Sequence, residues 1–411
     1  MKIITKISIL LVLFFLAAPN WLFAQTGTGN LRFGNLMITP SLNGQVLYDD
    51  NIYLKNGADN LANKKESDWI YHVMPGIMLN YNIPERGRIN LGYQGDWAFY
   101  NTNSSNNWKN QKVLFDGNYE APGGLIIGLR NAWMTLEDPY SSPDQYAVGR
   151  VTKRWTDDLK GKIGYNFANA FKVLLYYNFY KQQYKDILDY SQDYYNNEFG
   201  LGLETKILSK TWGFARYHYG QRSYDQFFAG LNKDNSADYD YHRANFGLAW
   251  DPTAKINGEL NFGYQWKTYK NEFTPTAARR ENRNTWIAAT SLTYRPITTT
   301  AITLNIDRAV RDTAADTNDY FDDTGIGLTL EQEFLTKFIL TVGGQYSKND
   351  YNLPVGNSRS DNNYIFITGL DYRIQKWMTL GVSYKYWRKD SNIAVNEYRD
   401  NQAMLTLKLA Y

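Results

Sequence analysis

The sequence predicts an all-β fold: a transmembrane antiparallel β-barrel of about 18 strands, with 16 as the alternative count. Three observations predict it. In the last stretch, Gln402–Tyr411, every second residue is apolar (Ala403, Leu405, Leu407, Leu409, Tyr411), and the residues between are polar or small, apart from Met404. A period of two is a strand with one apolar face. Secondly, tight turns and long polar loops alternate along the chain. Thirdly, mean hydropathy is −0.53, yet aromatics make up 16 % of the residues, with 34 Tyr and 12 Trp. That is the composition of a barrel whose apolar band ends in aromatic girdles. A soluble sandwich with this alternation would have to bury all its apolar faces against one another. Eighteen such faces with no helix leave too much apolar surface for that.

Residues 1–24 read as a secretory signal peptide. Lys2 and Lys6 form the basic n-region, Ile7 to Ala18 the apolar h-region, and Leu22-Phe23-Ala24 precedes the expected cut. The h-region is too short for a membrane-spanning helix. Without Lys2 and Lys6 the formal net charge falls from +3 to +1. The chain has no cysteine, which excludes disulfides and a lipoprotein anchor.

Residues 25–35 form a short periplasmic lead, far too short for a plug domain, and residues 36–411 form the barrel. Leu36 to Tyr48 alternates and is followed by a long polar loop, Asp49 to Ser67. In the next strand Trp69, Tyr71, Val73, Ile77, Leu79, Tyr81 and Ile83 share one face. Pro84-Glu85-Arg86-Gly87 is a tight turn into a third strand carrying Ile89, Leu91, Tyr93, Trp97 and Phe99. Apolar landmarks then recur at Tyr48, Tyr93, Trp133, Tyr177, Tyr217, Tyr264, Ile306, Tyr346 and Tyr384, at spacings of 38 to 47 residues. Nine hairpins make eighteen strands. Short turns are expected at 121–124, 168–170, 208–210, 251–254, 295–298 and 374–376. Long loops are expected at 101–107, 136–145, 225–238, 270–282, 311–323 and 347–360. With both termini on the short-turn side, this is the outer-membrane arrangement, short turns in the periplasm and long loops outside.

Around Tyr48 the chain resembles a known family. Pro40-Ser41-Leu42, Tyr48-Asp49-Asp50-Asn51-Ile52-Tyr53, Ser67-Asp68 and Pro75-Gly76-Ile77 are similar to the opening of the putative β-barrel porin 2 family. Leu380-Gly381-Val382-Ser383-Tyr384 shares its habit of a Tyr ending a strand. The resemblance implies an outer-membrane barrel, some family members being similar to barrels encoded with exopolysaccharide export systems. It names no functional residue. The C-terminal strand, with Leu405, Leu407, Leu409 and Tyr411, resembles the signal that such barrels show to their assembly machinery.

Strand parity points a set of charges into the lumen. The bases are Lys160, Lys162, Lys172, Lys206, Arg216, Arg222, Arg243, Lys255 and Lys267. Against them stand Asp158, Glu198, Glu204 and Glu259. Two readings of this wall stand side by side: charge pairs that hold the barrel rigid, or a cationic sector that favours anions. The three histidines, His72, His218 and His242, have no metal-ligand spacing, and Ser223 and Asp225 near His218 make no triad by adjacency. Residues 311–323 read as a solvated acidic loop meeting the divalent ions that bridge lipopolysaccharide. The sequence calls for no cofactor, no metal and no nucleic-acid partner. The functional expectation is a porin-like channel for passive passage of hydrophilic solutes, with polysaccharide and periplasmic export components as candidate partners. A non-conducting structural or adhesive barrel and an outer-membrane hydrolase are the alternatives.

Overall fold

The computed structural model describes residues 31–58, 64–139, 150–225, 237–251, 254–274, 277, 279–312, 320–352 and 358–411. The signal-peptide region lies outside the described residues. The first strand, β1 (Leu31–Phe33), folds back on β2 (Leu36–Asp49) through Gly34 and Asn35. From β2 onward the chain is a meander: β3 (Asp68–Ile83), β4 (Gly87–Tyr100), β5 (Trp108–Glu120), β6 (Leu125–Asp138), β7 (Thr152–Phe167), β8 (Phe171–Tyr184) and β9 (Tyr194–Leu208). It continues through β10 (Thr211–Tyr224), β11 (Tyr239–Trp250), β12 (Ile256–Tyr269), β13 (Arg283–Tyr294), β14 (Thr300–Asp312) and β15 (Tyr320–Phe334). The last four are β16 (Phe338–Tyr351), β17 (Arg359–Gln375), β18 (Met378–Ser391) and β19 (Tyr398–Ala410). Each strand pairs antiparallel with the next, and β19 pairs with β2, from Gln402↔Asp49 to Ala410↔Ser41. The ring β2–β19 is therefore a closed barrel of 18 strands.

The alternation in the sequence becomes two faces of one wall. On β3, Trp69, Tyr71, Val73, Ile77 and Tyr81 are exposed, whereas Ile70 and Met74 between them are buried. Trp133, Tyr217, Tyr264, Tyr346 and Tyr384 stand exposed on the outer face as well. Lipid is the solvent that suits this apolar outer face. The 14 residues of β4 reach roughly 46 Å at ~3.3 Å each. That exceeds the ~9–11 residues a tilted crossing needs, so strands continue past the bilayer.

Connections at one end are tight. At 168–169 and at 335–336 both central residues have positive φ (50° and 55°; 50° and 59°), the backbone of a two-residue hairpin turn that follows strand twist. At the other end they are long, and three of the expected loops shrink, the first because Leu136 to Asp138 belong to β6. Both ends of the acidic segment 311–323 are strand: Arg311 and Asp312 end β14 and Tyr320 to Asp323 open β15, pairing Asp312 with Tyr320 and Arg311 with Phe321, and residues 313–319 lie outside the described residues. A run of polar residues looks like a loop, but here alternate ones turn inward, where charge is neutralised. Residues 347–351 likewise belong to β16.

The C-terminal strand sits as its periodicity predicts. Leu405 and Leu407 are exposed on the outer face, Thr406 is buried inside, and Tyr411 is exposed at the end. Leu409 pairs with Leu42, and the Tyr411 N–H donates to Pro40 O at 3.1 Å, which finishes the seam.

Candidate channel interior

Of the thirteen charges expected in the lumen, twelve lie on strands with the parity of the inner wall, and Lys255 lies in a turn. Most are tied into clusters that skip strands. Arg216 on β10 lies 3.0 Å from Glu204 on β9 and 2.9 Å from Glu259 on β12, and Lys172 on β8 lies 3.8 Å from Glu204. The Arg216 guanidinium also stacks 3.9 Å from the Phe214 ring centroid, and the Lys172 Nζ sits 3.7 Å from that of Trp212. Glu198 accepts from Asn178 Nδ2 at 2.7 Å and Tyr241 OH at 2.8 Å, with Arg243 and His218 each at 3.3 Å. Arg222 and Lys267 converge with Tyr239 on Asp312 of β14. Lys206 lies over Trp212 at 5.7 Å, and Lys255 is exposed in the β11–β12 turn.

Asp312 escaped the sequence reading because it was placed in a loop. Its partner Arg222 stands four strands away, a contact no single-strand parity reveals. Toward the long-loop end charged and polar side chains of the inner wall are packed against one another. Lys267, Lys389, Asp323, Asp361 and Asn349 are all buried, and Arg359 and Lys389 share Asp361.

Lys160 and Lys162 belong to a different sector. Both are exposed on the inner face of β7, as is Arg130 on β6, a residue the sequence reading passed over. Lys112 on β5 shares this face. Arg130 is in register with Lys160, placing like charges opposite each other, an arrangement that destabilises a sheet. Lys160 has Asp158 at 3.1 Å. Asp116, the other cross-strand neighbour of Arg130, is instead held by Asn90 (3.4 Å) and Asn118 (3.3 Å), with Arg88 at 3.9 Å. Among the described residues, no carboxylate oxygen comes within 4.0 Å of Lys112, Arg130 or Lys162. Gly128 makes room for this arrangement, since a Cβ there would sit 2.6 Å from Lys162 Cε.

The segment after β2 folds onto the inner wall. Ile52 packs with Ile70, Ala98 and Tyr100 on one side of the seam, and Leu54 with Ile365, Trp387 and Tyr398 on the other. Both side chains are 1 % exposed, a burial that contributes about 1.5–3 kcal/mol each. Leu54 takes φ 48°, left-handed backbone that a branched residue adopts at a cost. Beyond Asp49 the β2-side edge of β19 has no ladder partner, and this segment bonds to it. Asn51 Nδ2 donates to Arg399 O at 2.9 Å, and Asn401 N donates to Asp50 Oδ1 at 2.7 Å. Gln402 Nε2 donates to both Asp49 and Asp400. One carboxylate oxygen from each of Asp49, Asp50 and Asp400 falls within 4.8 Å of the others, which makes a polar clasp across the seam. The inward fold was not legible in the sequence.

The histidines are dispersed. His72 Nδ1 lies 2.9 Å from Asp96, His218 faces Glu198, and His242 on the outer face meets Tyr217 OH at 2.6 Å. Ser223 has the opposite parity to His218, and Asp225 pairs with Lys181 at 3.5 Å, so none of these forms a triad with a nucleophile.

A closed outer-membrane-type barrel with a charged, partly wet interior agrees with what the chain matches. The model of the family described as Putative beta-barrel porin 2 matches residues 25–411. The chain belongs to that family. The family and the barrel place it in the outer membrane as a porin-like protein. No curated protein matches it by sequence. Among solved structures it is similar to the outer membrane protein OpdK of Pseudomonas aeruginosa, at 11 % identity and TM-score 0.46, covering 91 % of this chain and 98 % of that one. It is similar also to OccAB4 of Acinetobacter baumannii, at 9 % identity and TM-score 0.45, covering 91 % and 98 %. A third is the siderophore receptor PirA of Pseudomonas aeruginosa, at 7 % identity and TM-score 0.40, covering 90 % and 80 %.

Proposed function

We propose that the protein is a passive outer-membrane channel for hydrophilic solutes. The observation that carries this is the wet sector of the inner wall, where Lys160, Lys162 and Arg130 are exposed to solvent inside a closed ring. Side chains alone do not fill a barrel of 16–18 strands, and porins of that size hold an aqueous path. The inward segment 50–58, with Ile52 and Leu54 packed on the inner wall, narrows that path. Long loops face the cell exterior and short turns the periplasm, as in other barrels of this kind.

Family membership supports a channel and gives no support to catalysis. Export of a polysaccharide together with periplasmic components is the finer form of this reading, and its motive is the family resemblance. Lipopolysaccharide surrounds the outer face, and the assembly machinery reads the terminal strand ending in Tyr411.

Liposome swelling tests the proposal. Vesicles carrying the refolded protein should swell in small neutral sugars and more slowly in trisaccharides. Swelling rates equal to those of protein-free vesicles for every solute would overturn it.

A further inference from the structure

We infer that Arg130, Lys160, Lys162 and Lys112 form a binding patch for the carboxylate of an anionic solute, which makes the channel anion-preferring. The inference deepens the channel reading and rests on it. Charge alone does not single out this place, because the interior of β8–β14 is just as rich in Arg and Lys. What differs is how that charge is satisfied. In the β8–β14 sector Arg216, Arg222 and Arg243 each meet a carboxylate and stack on an aromatic ring, so little of their field reaches the lumen.

On β5–β7 the opposite holds. Arg130 faces Lys160 across the ladder, Lys162 lies over Gly128, and Asp116 is turned to Asn90, Asn118 and Arg88. The Lys160 side chain is 54 % exposed even with Asp158 beside it. Like charges in register cost stability, and the fold retains them at a water-facing site. A planar guanidinium flanked by ammonium groups is the donor set that takes a carboxylate bidentately and neutralises it. In a confined lumen such a cluster also raises the local concentration of anions.

The test is the reversal potential of single channels in a KCl gradient. Wild-type protein should prefer chloride over potassium. The Arg130→Gln, Lys160→Gln, Lys162→Gln triple variant should lose that preference or invert it. A charge-neutral control, Lys408→Gln with Asp371→Asn, removes a wet ion pair near the short-turn end and should keep the wild-type ratio. Heat-modifiable migration shows that each variant is folded. A triple variant with the wild-type ratio, or a control that shifts as far as the triple, overturns the inference and leaves the channel standing. If the wild-type protein conducts no ions, the channel reading falls separately, and calorimetric titration of the micelle-held barrel with glucuronate decides the patch. Saturable binding lost in the triple variant supports it; the absence of binding to the wild type overturns it.

Discussion

Arg130 and Lys160 stand directly opposite each other on the inner face of the β6–β7 ladder, two cations in register. In the β8–β14 sector Arg216, Arg222 and Arg243 each meet a carboxylate, and the proposed patch differs from it in that respect. Lys160→Gln removes one of the two like charges, worth ~0.2–1 kcal/mol, and also the exposed pair with Asp158, worth ~0–1 kcal/mol. The two effects offset. The urea midpoint of the variant should therefore stay within error of wild type while chloride preference falls.

Arg216 predicts the reverse ledger for the same change in charge. Its guanidinium joins Glu204 and Glu259, and its removal leaves two carboxylates facing each other. Deleting one partner of a fully buried pair costs about 3–5 kcal/mol, and this partly exposed cluster loses less than that. Arg216→Gln should lower the urea midpoint clearly, and Arg216→Gln with Glu204→Gln should recover much of the loss.

The two readings of the inner wall that the sequence left open divide between sectors: charge pairs tie the β8–β14 wall, and the cationic reading is the one proposed for β5–β7. Parity along each strand was enough to turn twelve of the thirteen charges inward and to count eighteen strands, because a period of two needs no knowledge of neighbours. Which charges meet depends on register and barrel closure. Arg216 reaches a carboxylate two strands away and Arg222 one four strands away, and neither distance is encoded in local alternation. Arg130 was overlooked for a related reason, since its isolation follows from Asp116 being held by Asn90 and Asn118. The Tyr48–Tyr53 motif carried the family resemblance but gave no hint that Ile52 and Leu54 would turn inward.

Leu54 anchors the inward segment. Leu54→Gly keeps the left-handed backbone at φ 48° and removes the side chain packed on Trp387 and Tyr398. The segment should then leave the wall. Since the chain has no cysteine, a single Asn56→Cys reports the change. Thiol labelling from outside should speed up several-fold with Leu54→Gly, and single-channel current should become larger and noisier.

The loop after β8 should respond to pH. Asp193 accepts the Tyr184 N–H at 2.6 Å and is 2 % exposed, and burial raises its carboxyl to about 6 from 3.8. A raised folded pKa means that the folded loop holds the proton more tightly than the open one. Loop stability is therefore full below pH ~4, falls as pH rises toward ~6, and stays at the lower level above that. Proteolysis within 185–193 should be slower at pH 4.5 than at pH 7.5, after correction for protease activity. Asp193→Asn should flatten that difference.

Single-channel conductance in planar bilayers tests the central claim most directly. Folded wild-type protein added at nanomolar concentration should insert in discrete steps of ohmic current, and the step size should grow with KCl concentration. Bilayers that stay silent, with protein from the same preparation showing heat-modifiable migration, would contradict the account and leave a closed barrel that conducts nothing.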